Sequence, residues 1–162
     1  MNNLVLYPNP ILSKPTTQVV DFNEEIHKIL DNMREIMLKY NGLGLASNQL
    51  GYNYSMFIMK EANAKKEGVI EFINPKIVET SNLLVNAPEG CLSAPGVYVD
   101  IVRPQELLIE AYNRYGEVFK GVLYDIEARC AAHELEHLEG KFFLDKVNRQ
   151  QRRAALRKLG VK

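Results

Sequence analysis

The sequence predicts an α+β fold in which mixed or antiparallel strands surround a central helix. Three observations predict it. An amphipathic helical pattern fills residues 21–40, short β-rich runs divided by turn signals fill 55–124, and a second helical pattern runs from Asp125 to Leu138. With 162 residues, 46% apolar and 25% charged, the chain has the size and composition of one globular domain, 1–162. Two cysteines are too few for a disulfide scaffold. No apolar run approaches the roughly 18–20 residues of a membrane helix. The start has no basic region followed by an apolar stretch, so no secretory signal is expected. Together these features give the expectation of a cytoplasmic protein with reduced thiols and no membrane partner.

Taken in order, Pro8, Pro10 and Pro15 make the opening segment extended chain lying over the surface. Asp21 and Glu24 have capping-box spacing at the head of the first helix. Ile26, Ile29, Leu30, Met33, Ile36, Met37 and Tyr40 form its apolar face, and Asn41-Gly42 stops it. Strands are expected at 55–59, 69–73, 96–101 and Glu106–Tyr112, with turns at Asn74-Pro75, Pro95-Gly96, Arg103-Pro104 and 113–116. Residues 112–124 around Gly116 read as a hairpin. The second helix ends at Gly140, and Phe142, Phe143 and Leu144 make a short apolar patch. A basic C-terminal helix or tail, 146–162, closes the chain. The formal charge is zero, yet this tail carries seven Lys or Arg and no acid.

The second helix contains His133-Glu134-Leu135-Glu136-His137, which matches H-E-x-x-H. Imidazoles four residues apart project from one helical face and can share a tetrahedral metal, with Glu134 beside them and free of the ligand role. The alternative is a pair of surface histidines on a solvated face. Ile126, Cys130, His133 and His137 lie along one stripe, so the histidines are expected to face the core. Inward imidazoles need a metal or strong hydrogen bonds.

A third ligand is required. Thermolysin-like peptidases take a downstream Glu, but no Glu follows Glu139; metzincins place a His where this chain has Phe143. Cys130 lies seven residues before His137, about 10 Å along the axis, too far for three ligands on one helix to converge. It reads as a small buried thiol. Cys91, in Glu89-Gly90-Cys91-Leu92-Ser93, can approach from across the fold. Alone it is equally a core thiol; the need for a third ligand favours it, and a Cys-His-His site leaves the open position of a catalytic metal.

These residues closely resemble the peptide deformylases. The family pattern G-φ-G-φ-A-A-x-Q (φ apolar) is matched by Gly42-Leu-Gly-Leu-Ala-Ser-Asn-Gln49, E-G-C-L-S by Glu89 to Ser93, and H-E-x-D-H by His133 to His137. The resemblance runs from the Tyr-Pro-Asn-Pro start to Gly140. The departures are Ser47 for Ala, Glu136 for Asp, and Ala132 where bacterial members often carry Gln. Glu136 is expected to pair with Arg103 and brace the helix.

The resemblance implies removal of the N-formyl group from the initiator Met of nascent chains, releasing formate. It assigns the metal to Cys91, His133 and His137, proton transfer to Glu134, and oxyanion donation to the Gln49 side chain and the Leu92 backbone N–H. Gly42, Leu43, Gly44, Glu89 and Gly90 are expected around the substrate, with 42–49 extended as an added strand. Ile126 and Cys130 are expected beside His133 in a pocket for Met, although plain core packing serves equally for Ile126. Cys and His suit several first-row ions; the family implies Fe(II), with Ni or Co as substitutes and Zn a poorer one. The rival readings are an H-E-x-x-H zinc metallopeptidase and a metal-binding relative without activity. For the basic tail, a solvated helix end and ribosomal RNA are equally weighted partners.

Overall fold

The computed structural model describes residues 4–62 and 68–161. Its organising strand is β2 (Met56–Lys60), whose side chains alternate between two cores: Met56 and Ile58 enter one, Phe57 and Met59 the other. Burial on both faces explains why Met-Phe-Ile-Met reads as an unbroken apolar run. β2 pairs antiparallel with β1 (Gly44–Ala46) and with β3 (Val69–Thr80). β6 (Glu106–Tyr112) and β7 (Val118–Tyr124) complete a five-stranded antiparallel sheet in the order β1-β2-β3-β6-β7. β4 (Leu84–Cys91) and β5 (Ala94–Pro104) form a separate antiparallel pair.

α1 (Glu24–Lys39) covers one face of the large sheet with Ile26, Leu30, Met33 and Met37. α2 (Asp125–Leu138) covers the other, packing Ala128, Ala131, Leu135 and Leu138 against Phe57, Phe72 and Ile109. α2 is therefore enclosed, with the sheet on one side and β5 on another. α3 (Arg149–Lys158) packs Ala155 with Phe142, Phe143, Leu144 and Val97, so the basic helix and the apolar patch share a third core. No helix among the described residues is long and apolar enough to cross a membrane.

The expected elements are present, with corrections. Asn23, not Asp21, caps α1: its side chain accepts from Glu25 N and Ile26 N. Asn41 takes the left-handed turn after α1 at φ 52°. The opening segment is not extended throughout, because Pro10–Ser13 form a 3₁₀ turn that buries Leu12. β3 continues through Asn74-Pro75, where a register shift absorbs Asn74 at φ 49°. β5 likewise runs through Pro95-Gly96 and Arg103-Pro104. β4 was not expected at all. Its Pro88 and Gly90 break the alternation, which a two-stranded pair tolerates because neither strand is central.

Gly140 ends α2 as expected, at φ 71°; a Cβ there would lie 2.7 Å from the carbonyl carbon of Lys14 and 2.9 Å from its nitrogen. Backbone strain and backbone contact act together. Gly140→Ala is expected to destabilise the fold by about 1–3 kcal/mol, measured by denaturant unfolding.

Candidate metal centre

α2 is buried over most of its length, and it carries His133, Glu134 and His137 inward at 6%, 4% and 1% exposure. Cys91 reaches them because the β4–β5 register breaks after Gly90↔Tyr98 and closes at Cys91↔Ala94. That tight connection aims the thiol at the helix: Cys91 Sγ lies 3.1 Å from His137 Nε2. One ligand atom from each of Cys91, His133 and His137 lies within 4.8 Å of the others, and this is the only such cluster among the described residues. Cys130 stands outside it, buried in the core between α2 and the sheet.

Behind the cluster lies a buried ionic network. His133 Nδ1 is 2.9 Å from Glu89 Oε1, which fixes the ring and leaves Nε2 for the cluster. Glu89 in turn receives Arg103 Nε at 2.7 Å and Arg129 Nη1 at 2.9 Å. Arg103 also grips Glu136 through Nη1 at 2.7 Å and Nη2 at 3.0 Å, and Lys146 Nζ adds 2.8 Å to Glu136. The Arg103–Glu136 pair expected from the sequence is thus present and bidentate. Burial alone would raise the Glu89 carboxyl, but hydrogen bonds from His133 and Arg103 and their charges hold it at about 2. Burial also opposes ionisation of Glu136, yet Arg103 and Lys146 hold it below the usual carboxylate range.

Arg129 was missed in the sequence. It donates to the carbonyls of Val85 and Ile101 at 2.8 Å each, tying both strands of the β4–β5 pair to α2. A signal existed: an arginine inside a helix that is apolar around it needs a buried acid, and Glu89 is the available one.

Glu134 is different, since burial pushes its carboxyl up to about 7 and its Oε2 has no hydrogen-bond partner among the described residues. Gly44 backs it closely. A Cβ at Gly44 would lie 2.6 Å from Cys130 Sγ and 2.7 Å from Glu134 Oε1, so any side chain there would displace Cys130 and Glu134. Gln49 sits on the 3₁₀ turn Ser47–Leu50, where the sequence reading had extended chain up to residue 49. Its Oε1 accepts from Ala46 N at 2.8 Å, which turns Nε2 toward Ser93 Oγ at 3.1 Å and Cys91 Sγ at 3.4 Å. Ser47, the departure from Ala, is buried and donates to the Tyr54 carbonyl, so its hydroxyl is satisfied. Ala132 packs in the core between α2 and the sheet.

In front of the cluster opens a cavity of about 770 Å³. Gly42, Leu43, Gly44 and Gln49 line it from one side, and Glu89, Gly90, Cys91 and Leu92 from another. Ile126, Cys130, His133 and Glu134 line it from α2; His137 lies outside the lining. Ile126 is 49% exposed at the mouth, so the apolar stripe of α2 leaves the core one turn earlier than expected. Tyr98, also missed, lines the cavity beside Gly90, where a Cβ would come within 2.6 Å of its ring.

The profile of the family described as polypeptide deformylase matches residues 1–153. The chain belongs to that family. It is 39% identical over 148 residues to the chloroplastic/mitochondrial peptide deformylase 1B of Arabidopsis thaliana, covering 91% of this chain and 54% of that protein. It is 40% identical over 141 residues to the peptide deformylase of Caldanaerobacter subterraneus subsp. tengcongensis, covering 87% and 86%. The chain therefore spans about half the length of its plant relative and most of the bacterial one. A crystal structure of a peptide deformylase from Legionella pneumophila superposes with a TM-score of 0.93 at 30% identity, covering 99% of this chain and 94% of that one. The α+β fold with antiparallel sheets is the deformylase fold.

Deformylases are metal-dependent, and the residues here fit a divalent ion. Burial keeps the His137 ring well below its usual pKa, in the neutral form a ligand requires. Burial also disfavours charge on His133, but Cys91 and Glu89 on its two sides outweigh it. The space between thiol and ring thus attracts positive charge, which a cation bound by one sulfur and two nitrogens supplies.

Proposed function

We propose that this chain removes the N-formyl group from the N-terminal formyl-Met of nascent polypeptides in the cytoplasm, releasing formate. One observation carries the reading: Glu134, with its carboxyl near 7 and one oxygen unpartnered, opens onto the cavity beside the Cys91, His133 and His137 cluster. A carboxyl so poised can take a proton and return it near neutral pH.

Cys91, His133 and His137 would hold the metal, Fe(II) by the family pattern with Ni, Co or Zn able to substitute. When bound, that ion supplies Lewis acidity and lowers the pKa of water. Glu134 accepts the proton of the attacking water and delivers it to the departing amine. The Gln49 Nε2 group and the Leu92 N–H stand beside Cys91 and donate to the oxygen that gains charge on the formyl carbon. β1 is the outer strand of the large sheet, so Gly44–Ala46 offers an edge with which an extended peptide can pair. Leu43, Glu89 and Gly90 border that path, and Ile126 and Cys130 form the apolar wall for Met.

Formyl-Met-Ala-Ser separates this reading from its rivals. Anaerobically purified protein is expected to release formate and leave the peptide bonds whole. Cleaved peptide bonds would identify a peptidase, and no product at all a relative without activity.

The basic helix supports a second contact, with ribosomal RNA. Arg149, Arg153 and Arg157 border one groove of α3, while Ala155 anchors the helix to the body. Because α3 contributes to a core, charge reversal tests this better than truncation. Replacing these three arginines with Glu is expected to abolish salt-sensitive binding to ribosomes while formate release from short peptides is kept. Unchanged ribosome binding would reject the contact.

A further inference from the structure

Three consecutive residues of the 3₁₀ turn, Ser47, Asn48 and Gln49, are fully buried and polar, and each side chain reaches a different part of the fold. Ser47 bonds the Tyr54 carbonyl just ahead of β2, and Gln49 bonds Ser93 beside Cys91. Asn48, 1% exposed, donates from Nδ2 to the main-chain carbonyl of His137 at 2.6 Å, across 89 residues of sequence. That carbonyl already receives the N–H of Gly140 at 3.1 Å. The end of α2 is therefore capped without Asn48. What the side chain adds is a fixed link between the turn bearing Gln49 and the residue bearing a ligand ring.

A second observation points the same way. Three buried side-chain atoms lack a hydrogen-bond partner among the described residues: Glu134 Oε2, Asn48 Oδ1 and His137 Nδ1. The last two belong to the two residues already joined by the Nδ2 bond, and they make no hydrogen bond to each other. Burying an asparagine with no such task is costly.

We infer that Asn48 is a positioning residue for His137: it clamps the main chain of the ligand and holds its ring in the orientation that meets Cys91. The inference rests on the metal reading of the Cys91, His133 and His137 cluster. Asn48 does not line the cavity and touches the cluster only through the His137 carbonyl, so its effect is on the metal site rather than on the reacting atoms.

The test compares Asn48→Thr with Asn48→Val. The two side chains are alike in shape and β-branching, so both carry the same packing change, and only Thr keeps a hydroxyl that can donate to the His137 carbonyl. Cobalt(II) affinity is measured by chelator competition, together with the thiolate-to-cobalt absorption band. The Val variant is expected to bind cobalt about 10–100-fold more weakly than the Thr variant and to show a shifted band. Equal affinities and matching bands for the two variants would overturn the inference. A wild-type protein that fails to bind cobalt would instead overturn the metal reading beneath it. Should the β-branched pair not fold, Asn48→Ser against Asn48→Ala makes the same comparison.

Discussion

Glu134→Gln is expected to bind metal as the wild type does and to lose deformylation by about 10²–10⁴-fold in kcat. The amide fills the space of the carboxylate between Gly44 and the ligand cluster, so packing is kept. It cannot take a proton from water or return one to an amine. The buried carboxyl, pushed up to about 7, spends comparable time in both protonation states at neutral pH, which is the condition for shuttling a proton in both directions. Metal content and kcat measured on the same preparation separate this role from ligation. Loss of metal in parallel with loss of rate would place Glu134 among the ligands instead.

Arg103→Leu is expected to cost about 3–5 kcal/mol of folding stability, because it leaves buried carboxylates short of their charge partner. Glu89 would keep Arg129 and His133, while Glu136 would keep only the half-exposed Lys146. The effect should reach the metal through Glu89, which fixes the His133 ring, so affinity should fall about 10–100-fold as well. Lys146→Ala, which removes a partly exposed partner of the same carboxylate, should cost less than about 1 kcal/mol. Denaturant unfolding of both variants checks the contrast. Similar costs for the two would show that the network is not held by Arg103.

The departure of Glu136 from the family's Asp has a physical reading in that network. The Glu136 carboxylate grips Arg103 in bidentate fashion and also meets Lys146 from the segment leading into α3. The basic C-terminal region is thus connected to the back of the site by an ion pair as well as by Phe142 and Phe143, which pack near the His137 and His133 rings.

α1, β6 and α2 were legible in the sequence because each repeats its period over several turns or pairs and is bounded by clear stop signals. β4 was not, since Asn86, Pro88 and Gly90 erase the alternation and its partner lies across a hairpin. The grouping of Cys91 with His133 and His137 was legible because two His on one helical face leave a third ligand to be found, and Cys91 can reach them from across the fold. What supports them was only partly so. The Glu136–Arg103 pair followed from a longer acid beside a Val-Arg-Pro segment. The grip of Arg129 on two strands and of Asn48 on His137 depends on which backbone carbonyls face inward, and residue identity does not encode that directly. Ile126 lines the cavity with Cys130 and His133 yet is 49% exposed, because the stripe on α2 shows direction and not depth.

Cys91, carried in from the β4–β5 turn, is expected to complete the site on α2, and Cys130 on the same helix is not. Formate release from formyl-Met-Ala-Ser by anaerobically purified wild type, Cys91→Ala and Cys130→Ala tests it most directly. Activity should be abolished in Cys91→Ala and retained in Cys130→Ala; loss confined to Cys130→Ala would contradict the account.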